Sequence, residues 1–318
     1  MTENACTIPP FPTKINLERP HSTTLTAIRT SQNTVIQGFA VDPTNDCIYT
    51  SQLINGNTQL PGEKAPVPYA TRASSGDIAI TKISLTNHTV LGVMYIKGAG
   101  HGMTIQVEHA PDGVWLWVDA DSSSGGFARA IGRTRFQNGA VLNSRTQTTV
   151  IRPFGTDSHG LSAAVDQHSD QIMVRRGLSG NNRRYYLYNL TAFKAGVYTP
   201  IATVDQAVGS ATPDGMTIGT FQGAATWGNY LYSLEGTATN GGTNTTYLTC
   251  LHWHTGQLVQ RALVTHELGL EYREPEGMDV WTPDPLNPMA VRLGYGFAGG
   301  PSGKRHFTLC MIDSNLAA

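Results

Sequence analysis

Five stretches decide the fold, each opening on a polar residue followed by glycine. They are QGFAVDPTNDCIYTSQ (residues 37–52), HGMTIQVEHAPDGVWLWVDAD (101–121), HGLSAAVDQHSDQIMVRRG (159–177), QGAATWGNYLYSLEG (222–236) and EGMDVWTPDPLNPMAVRLGYG (276–296). Their openings lie 64, 58, 63 and 54 residues apart. Recurrence at a near-constant interval marks a repeat architecture, in which each unit buries its apolar face against the next. Within each copy apolar residues alternate, a turn follows, and a second alternating run returns. DPTND, APDG and SGNN read as tight turns, because Asn, Asp and Gly tolerate positive φ. The interval exceeds the roughly 40–50 residues of common propeller repeats, so the loops must be long.

Working outward, two further strand-like runs follow each copy: DIAITKISL and TVLGVMYI, FARAIGRTRF and TQTTVIRPF, RRYYLYNLTAF and TPIATVDQAV, TTYLTCLHWH and QLVQRALVTHE. Four short strands per unit, separated by Gly/Asn/Asp turns, describe a propeller blade. The fifth unit ends early: after RHFTLCMID only SNLAA remains. Every other fourth strand lies just before a polar–Gly pair, and HSTTLTAIRT (21–30) occupies that place before Gln37. The reading is an all-β chain, a five-bladed β-propeller, with residues 1–318 as a single domain. Its blades start near 37, 101, 159, 222 and 276. The N-terminal strand, residues about 23–30, completes the fifth blade by pairing near His306–Ile312. Such closure removes an open sheet edge that would otherwise invite aggregation.

Composition agrees with strands and turns: 34 glycines, 40% hydrophobic and only 14% charged residues. The net charge of −1 gives no sequence-independent grip on nucleic acid or acidic lipid. No window approaches the roughly 18 apolar residues of a membrane span. MTENACTIPPFPTK has no basic stretch followed by an apolar run, so no secretory signal is read and a cytoplasmic location is expected, with non-classical export or virion association as the alternative. Cys6, Cys47, Cys250 and Cys310 are isolated, which favours reduced thiols, a Cys250–Cys310 bridge being the alternative. A monomer is expected.

With strands running antiparallel from axis to rim, the loops entering each innermost strand and those leaving each second strand open on one face. That places Gln37, His101, His159, Gln222 and Glu276 in a ring at the channel mouth. The second strands supply Gln52, Asp119, Arg175, Arg176, Glu235, Arg292 and Tyr295, and the REPEG run brings Arg273 and Glu274. Two imidazoles, two amides and a carboxylate at one mouth suggest a ligand site; the structural alternative is a ring bonded around ordered water. His101, His159 and Glu276 suit a divalent metal in residue type, although no cofactor is required. As a catalytic set, His101, His159 and Glu276 would do acid–base work while Arg176 or Arg175 neutralises a substrate carboxylate or phosphate. WLW (115–117) and HWH (252–254) read as packing between blades, and RTR and NNRRYY as solvated strand ends. No GxSxG, Walker, HExxH or Rossmann motif is present.

The polar–Gly strands, above all HGMTIQVEHAPDGVWLWVDAD and QGAATWGNYLYSLEG, resemble the TagC-like β-propeller family of the phage P68 receptor-binding protein and helveticin J relatives. The similarity runs from about residue 30 to the end, and His101–Gly102 and His159–Gly160 match the family's HG pairs. The resemblance implies a five-bladed propeller and, from its phage member, recognition of a cell-wall glycopolymer. Two functional classes follow. One is a binding module whose mouth takes a saccharide or other polyhydroxylated or acidic ligand, a glycan or small molecule. The other is an enzyme at the same mouth, a uronate-polysaccharide lyase or a biosynthetic cyclase or isomerase using histidine acid–base catalysis.

Overall fold

The structure is a computed structural model that describes residues 13–156, 158–207, 209–212, 215–239, 242–284, 287 and 290–314. Its strands form five sheets around a common axis. β1 (His21–Ile28) precedes blade 1, which contains β2 (Ile36–Asp42), β3 (Cys47–Leu53), β4 (Ile78–Ser84) and β5 (Val90–Lys97). Blade 2 contains β6 (Ile105–Ala110), β7 (Gly113–Ser122), β8 (Ala128–Thr134) and, beyond β9 (Val141–Asn143), β10 (Thr149–Ile151). Blade 3 runs from β11 (Ser162–Asp166) through β12 (Gln171–Gly177) and β13 (Arg183–Asn189) to β14 (Ala202–Gln206). Blade 4 runs from β15 (Phe221–Trp227) through β16 (Tyr230–Glu235) and β17 (Tyr247–His252) to β18 (Leu258–Leu263). Blade 5 holds β19 (Glu274–Trp281), β20 (Arg292–Gly299) and β21 (His306–Asp313), with β1 as its outer strand.

The closure has a defined register: His21 pairs with Ile312, Thr23 with Cys310, Leu25 with Leu309 and Ile28 with Phe307. Leu25 points inward, and a register irregularity between Leu25 and Ile28, with Ala27 at φ 53°, returns Ile28 to the same face; both join Phe39, Ile48, Phe307 and Leu309 between blades 5 and 1. Equivalent apolar clusters fill the other four blade interfaces; Trp117 lies between blades 2 and 3, and Trp253 between blades 3 and 4. Each fully buried Leu, Ile or Phe contributes about 1.5–3 kcal/mol, so stability resides in contacts between neighbours.

Some local structure departs from the four-strand reading. β9, from the connection that crosses blade 2, adds in parallel to β5 and gives blade 1 a fifth strand. NLTAF leaves β13 as a short helix, α2 (Leu190–Lys194), because the Asn189 side chain accepts a hydrogen bond from the Ala192 N–H and caps it. The long loop after β3 includes α1 (Tyr69–Ser75), pinned by fully buried Arg72, which donates to Glu63, to Asp77 at 2.9 Å and to the Thr58 carbonyl. Cys47, Cys250 and Cys310 are buried free thiols; Cys250 belongs to β17 and Cys310 to β21, in different sheets. Cys6 lies outside the described residues.

Side-chain to backbone hydrogen bonds staple the blades near the axis. The Val41 N–H donates to Asp279 Oδ2 at 2.8 Å, Ser51 Oγ donates to the Gly102 carbonyl at 2.5 Å, Ala163 N–H donates to Thr104 Oγ1 at 3.1 Å, and Gly228 N–H donates to Asp166 Oδ2 at 2.8 Å. These link blades 5–1, 1–2, 2–3 and 3–4. Burial pushes the Asp279 carboxyl up to about 7, although the Val41 and Val280 N–H groups and Gln106 favour its charged form. A raised carboxyl favours the protonated folded state. Its stabilisation is therefore complete below the unfolded value near pH 4 and is lost as pH rises toward 7. The Asp279→Asn protein keeps an acceptor for Val41 and should gain stability over wild type between pH 5 and 7.5, by at most about 4 kcal/mol. Parallel melting curves of the two proteins across that range would rule this out.

Candidate functional site

The five polar–Gly openings meet. Gln37, His101, His159, Gln222 and Glu276 all line one cavity of about 650 Å³ at the axis, together with Glu274 and Arg175. The topology produces this by bringing the loops entering β2, β6, β11, β15 and β19 to one face. The glycines permit the approach: a Cβ on Gly223 would lie 2.8 Å from the Gly277 carbonyl carbon, and one on Gly277 would lie 2.9 Å from Gly38 Cα. At the other end of the channel, Asp166, Asp279, Trp227 and Trp281 line a separate cavity of about 300 Å³.

The mouth combines unlike environments. Glu276 is almost wholly buried, and burial, then the neighbouring Glu274, holds its carboxyl well above the usual carboxylate range. It lines the cavity, and burial favours its protonated, hydrogen-bond-donating form. His101 stacks on Phe127, with ring centroids 5.1 Å apart and planes 22° apart, and burial lowers its basicity. His159 is exposed on the cavity wall. Gln222 donates to the Gly236 carbonyl at 2.9 Å. Arg175 donates to the Gly160 carbonyl at 2.9 Å and lies 4.0 Å over the Phe221 ring; burial pushes it down to about 10, and its Nε has no hydrogen-bond partner among the described residues.

Other predicted residues stand away from the cavity wall. Asp119 lies one layer beneath it, accepting from the N–H groups of Gly102, Met103 and Thr104 at 2.8, 3.1 and 2.9 Å. It shapes the turn that presents His101, although burial raises its carboxyl against those bonds. Gln52 is buried and donates to the Thr34 carbonyl at 2.7 Å, fixing the loop into β2. Glu235 is buried beneath blade 4, where it accepts from Gln206 at 2.9 Å, Thr249 at 2.9 Å, the Gly219 N–H at 3.0 Å and Arg261 at 3.1 Å. Arg273 is buried too, donating to the Val264 and His266 carbonyls and to Asn244 and Thr246, with its guanidinium 4.2 Å over Phe297. Alternation along β12 turns Arg176 to the face opposite Arg175, where it lies 5.3 Å over Phe154. The antiparallel register pairs Arg292 with Trp281, at the far end of the channel, and Arg292 bonds Asp313 at 3.0 Å. Tyr295 is mid-strand and buried, with its hydroxyl 2.5 Å from His21 Nδ1. Among the described residues, His101, His159 and Glu276 do not form a three-ligand group within reach of one ion.

Sequence reasoning missed the aromatic part of the wall. Tyr69 (48% exposed), Phe127 (43% exposed) and Phe221 line the same cavity. Tyr69 comes from the inserted helix and Phe127 from the turn after β7, and only their place beside polar strand ends, which the fold supplies, would have singled them out. Beside Phe127 lies a second missed feature. Asp121 accepts from Arg129 at 2.8 Å, Arg145 at 2.6 Å and Arg152 at 3.0 Å. Burial works against the Asp121 charge, but the three guanidiniums bring its carboxyl below the ordinary value. One carboxylate among three partly exposed arginines leaves two surplus positive charges at the end of β7.

A family model for the phage five-bladed β-propeller receptor-binding platform domain matches residues 35–310. A candidate major teichoic acid biosynthesis protein C of Bacillus subtilis (strain 168) is 26% identical over 297 residues, covering 88% of this chain and 60% of that protein. The tail fibre of Staphylococcus aureus phage P68 superposes with a TM-score of 0.68 at 17% identity, over 94% of this chain and 53% of that one. An exo-β-1,3-galactanase from Phanerochaete chrysosporium superposes with a TM-score of 0.51 at 10% identity, over 92% and 64% of the two chains. The chain thus spans little more than half the length of the first two relatives. Among the described residues no helix is long and apolar enough to cross a membrane. A repeat of five blades closed by an N-terminal strand, matched over most of its length, makes the chain a member of the phage five-bladed β-propeller receptor-binding platform domain family.

Proposed function

We propose that the channel mouth is a receptor-binding site for a glycan bearing acidic groups. The observation that supports it most is the mixed wall of one cavity: aromatic faces of Tyr69, Phe127 and Phe221 stand beside Gln37, Gln222, His159, Glu276 and Arg175. Sugar rings present apolar C–H faces to aromatic side chains and hydroxyls to amides, acids and imidazoles. The Arg129–Arg145–Arg152 group, gathered on Asp121 in the blade that supplies Phe127, is suited to a phosphate or carboxylate on the same polymer. The receptor-binding family and the teichoic-acid name of the Bacillus relative support a wall glycopolymer as the ligand.

The test is calorimetric titration with phosphate-bearing wall glycopolymer fragments and with a neutral glycan of similar length. Phe127→Ala and His159→Ala alter exposed side chains and should leave the melting temperature unchanged. Each should weaken binding by about 1–2 kcal/mol, roughly 5- to 30-fold. Added salt should weaken binding of the charged polymer more than of the neutral one. Unchanged affinity in both variants would place the ligand elsewhere.

A second reading rests on Glu276, a buried carboxyl lining the same cavity as His101 and His159. A carboxyl that burial holds above its usual range has the form of a general acid, so turnover of the bound glycan is the enzymatic alternative. Unsaturated or shortened products accumulating with wild type and absent with Glu276→Gln would establish it; binding without product would leave the mouth as a receptor site alone.

A further inference from the structure

Away from the mouth, at the seam where β1 closes the ring, three metal-ligating side chains from separate parts of the chain converge. They are His266 and Glu267, on the crossover between β18 and β19, and Cys310, on β21. One donor atom from each lies within 4.8 Å of the others, and His266 Nε2 stands 3.8 Å from Glu267 Oε1. Thr23, the register partner of Cys310 on β1, lies among them. Its hydroxyl is 2.8 Å from His266 Nε2, accepted by Glu267, and 4.0 Å from Cys310 Sγ. Four donors of the N, O, S and O types therefore surround one point that touches the closing strand, the last blade and the crossover from blade 4.

We propose that His266, Glu267, Cys310 and Thr23 form a site for one divalent cation of the zinc class, which clamps the ring shut. Mixed imidazole, carboxylate and thiolate donors suit a tetrahedral, borderline-soft ion rather than calcium or magnesium, which take oxygen ligands. Bond lengths of about 2.0–2.3 Å place neighbouring donors roughly 3.3–3.8 Å apart. The His266–Glu267 pair already meets that spacing. Cys310 moves in by a rotation about its side chain, and Thr23 gives up its two short hydrogen bonds for the fourth position. His266 is partly exposed on a surface cavity of about 520 Å³ that it lines with His21 and Arg261, so an ion has a route from solvent. Binding replaces the Cys310 thiol proton with the metal and releases that proton to solvent. The consequence is mechanical. β1 is otherwise joined to blade 5 by backbone pairing, packing and side-chain hydrogen bonds such as His21–Tyr295 and Ala27 N–H to Thr308, and the ion would add a tie to β21 and to the loop leaving blade 4.

The test uses the 318-residue chain after chelator treatment, titrated with Zn²⁺ and Co²⁺. The expected result is one ion per chain, a rise of several degrees in melting temperature, and slower hydrogen exchange across residues 21–28. With Co²⁺ a thiolate-to-metal absorption band should appear, and it should vanish in Cys310→Ala. Since Cys310 is buried and its replacement risks unfolding, the partly exposed His266→Gln and Glu267→Gln variants give an independent readout: each should weaken binding at least 10-fold while melting cooperatively without metal. A thiolate band that survives Cys310→Ala, or a melting temperature that Zn²⁺ leaves unmoved in wild type, would overturn the site. These readouts do not involve the channel mouth, so failure there leaves this inference untouched.

Discussion

The Leu25→Asp protein is expected to lose its cooperative thermal transition or to accumulate as insoluble chain. Leu25 is fully buried in the cluster that joins blades 5 and 1, opposite Leu309 across the β1–β21 pairing. Its replacement deletes a core side chain, worth about 2–5 kcal/mol, and leaves a carboxyl in an apolar interface, which costs roughly 4 kcal/mol more to hold protonated at neutral pH. Against the usual margin of about 5–15 kcal/mol, that is a large share of the total. The melting temperature of any folded fraction should fall by roughly 10 °C or more. Thr24→Asp is the matched control, since alternation puts Thr24 on the exposed side of the same strand, and it should change stability by no more than about 0.5 kcal/mol. If both proteins melt like wild type, closure by β1 contributes nothing to the ring.

Gly277→Ala should destabilise the ring strongly at the mouth. Gly277 has φ of 78°, a left-handed conformation that costs an alanine about 1–2 kcal/mol. Its added Cβ would also fall 2.9 Å from Gly38 Cα and 3.2 Å from the Phe39 nitrogen, so two blades must separate at backbone level. Overpacking of that kind adds about 1–3 kcal/mol, giving a total near 2–5 kcal/mol. Gly139 supplies the comparison. Its φ is 79°, but nothing lies within 4 Å of an added Cβ, so Gly139→Ala incurs only the conformational term. Denaturant melts of the two variants side by side separate the contributions. Equal destabilisation would show that close approach of blades 1 and 5 at the axis is dispensable. Because Glu276 precedes Gly277, the same substitution should weaken ligand binding even where the protein remains folded.

The legibility of the site followed the legibility of the repeat. Gln37, His101, His159, Gln222 and Glu276 are legible as a set because each holds the same position in a recurring unit, and symmetry carries such positions to one ring. Residues chosen only for lying near the end of a second strand fared unevenly. Arg175 faces the cavity while its neighbour Arg176 does not, a difference of one residue in a period-2 element. Arg292 opens β20 rather than ending it, so antiparallel direction sends it to the far end of the channel. Asp119 and Glu235 reach toward the right face, but their carboxylates are taken up by backbone N–H groups and buried partners.

The sequence by itself determined the number of blades, the order of strands within them and the strand that closes the ring. Those features are written in local alternation, turn chemistry and spacing, which depend on neighbours along the chain. Only the tertiary structure decided which polar groups remain available to a ligand. Tyr69 and Phe127 enter the wall from an inserted helix and a turn, the Asp121 arginines gather from three separate segments, and His266, Glu267 and Cys310 meet across the seam. The reason is physical: a side chain's hydrogen-bond capacity is spent on whichever groups folding brings within reach, and such distances in space are not encoded by distance along the sequence.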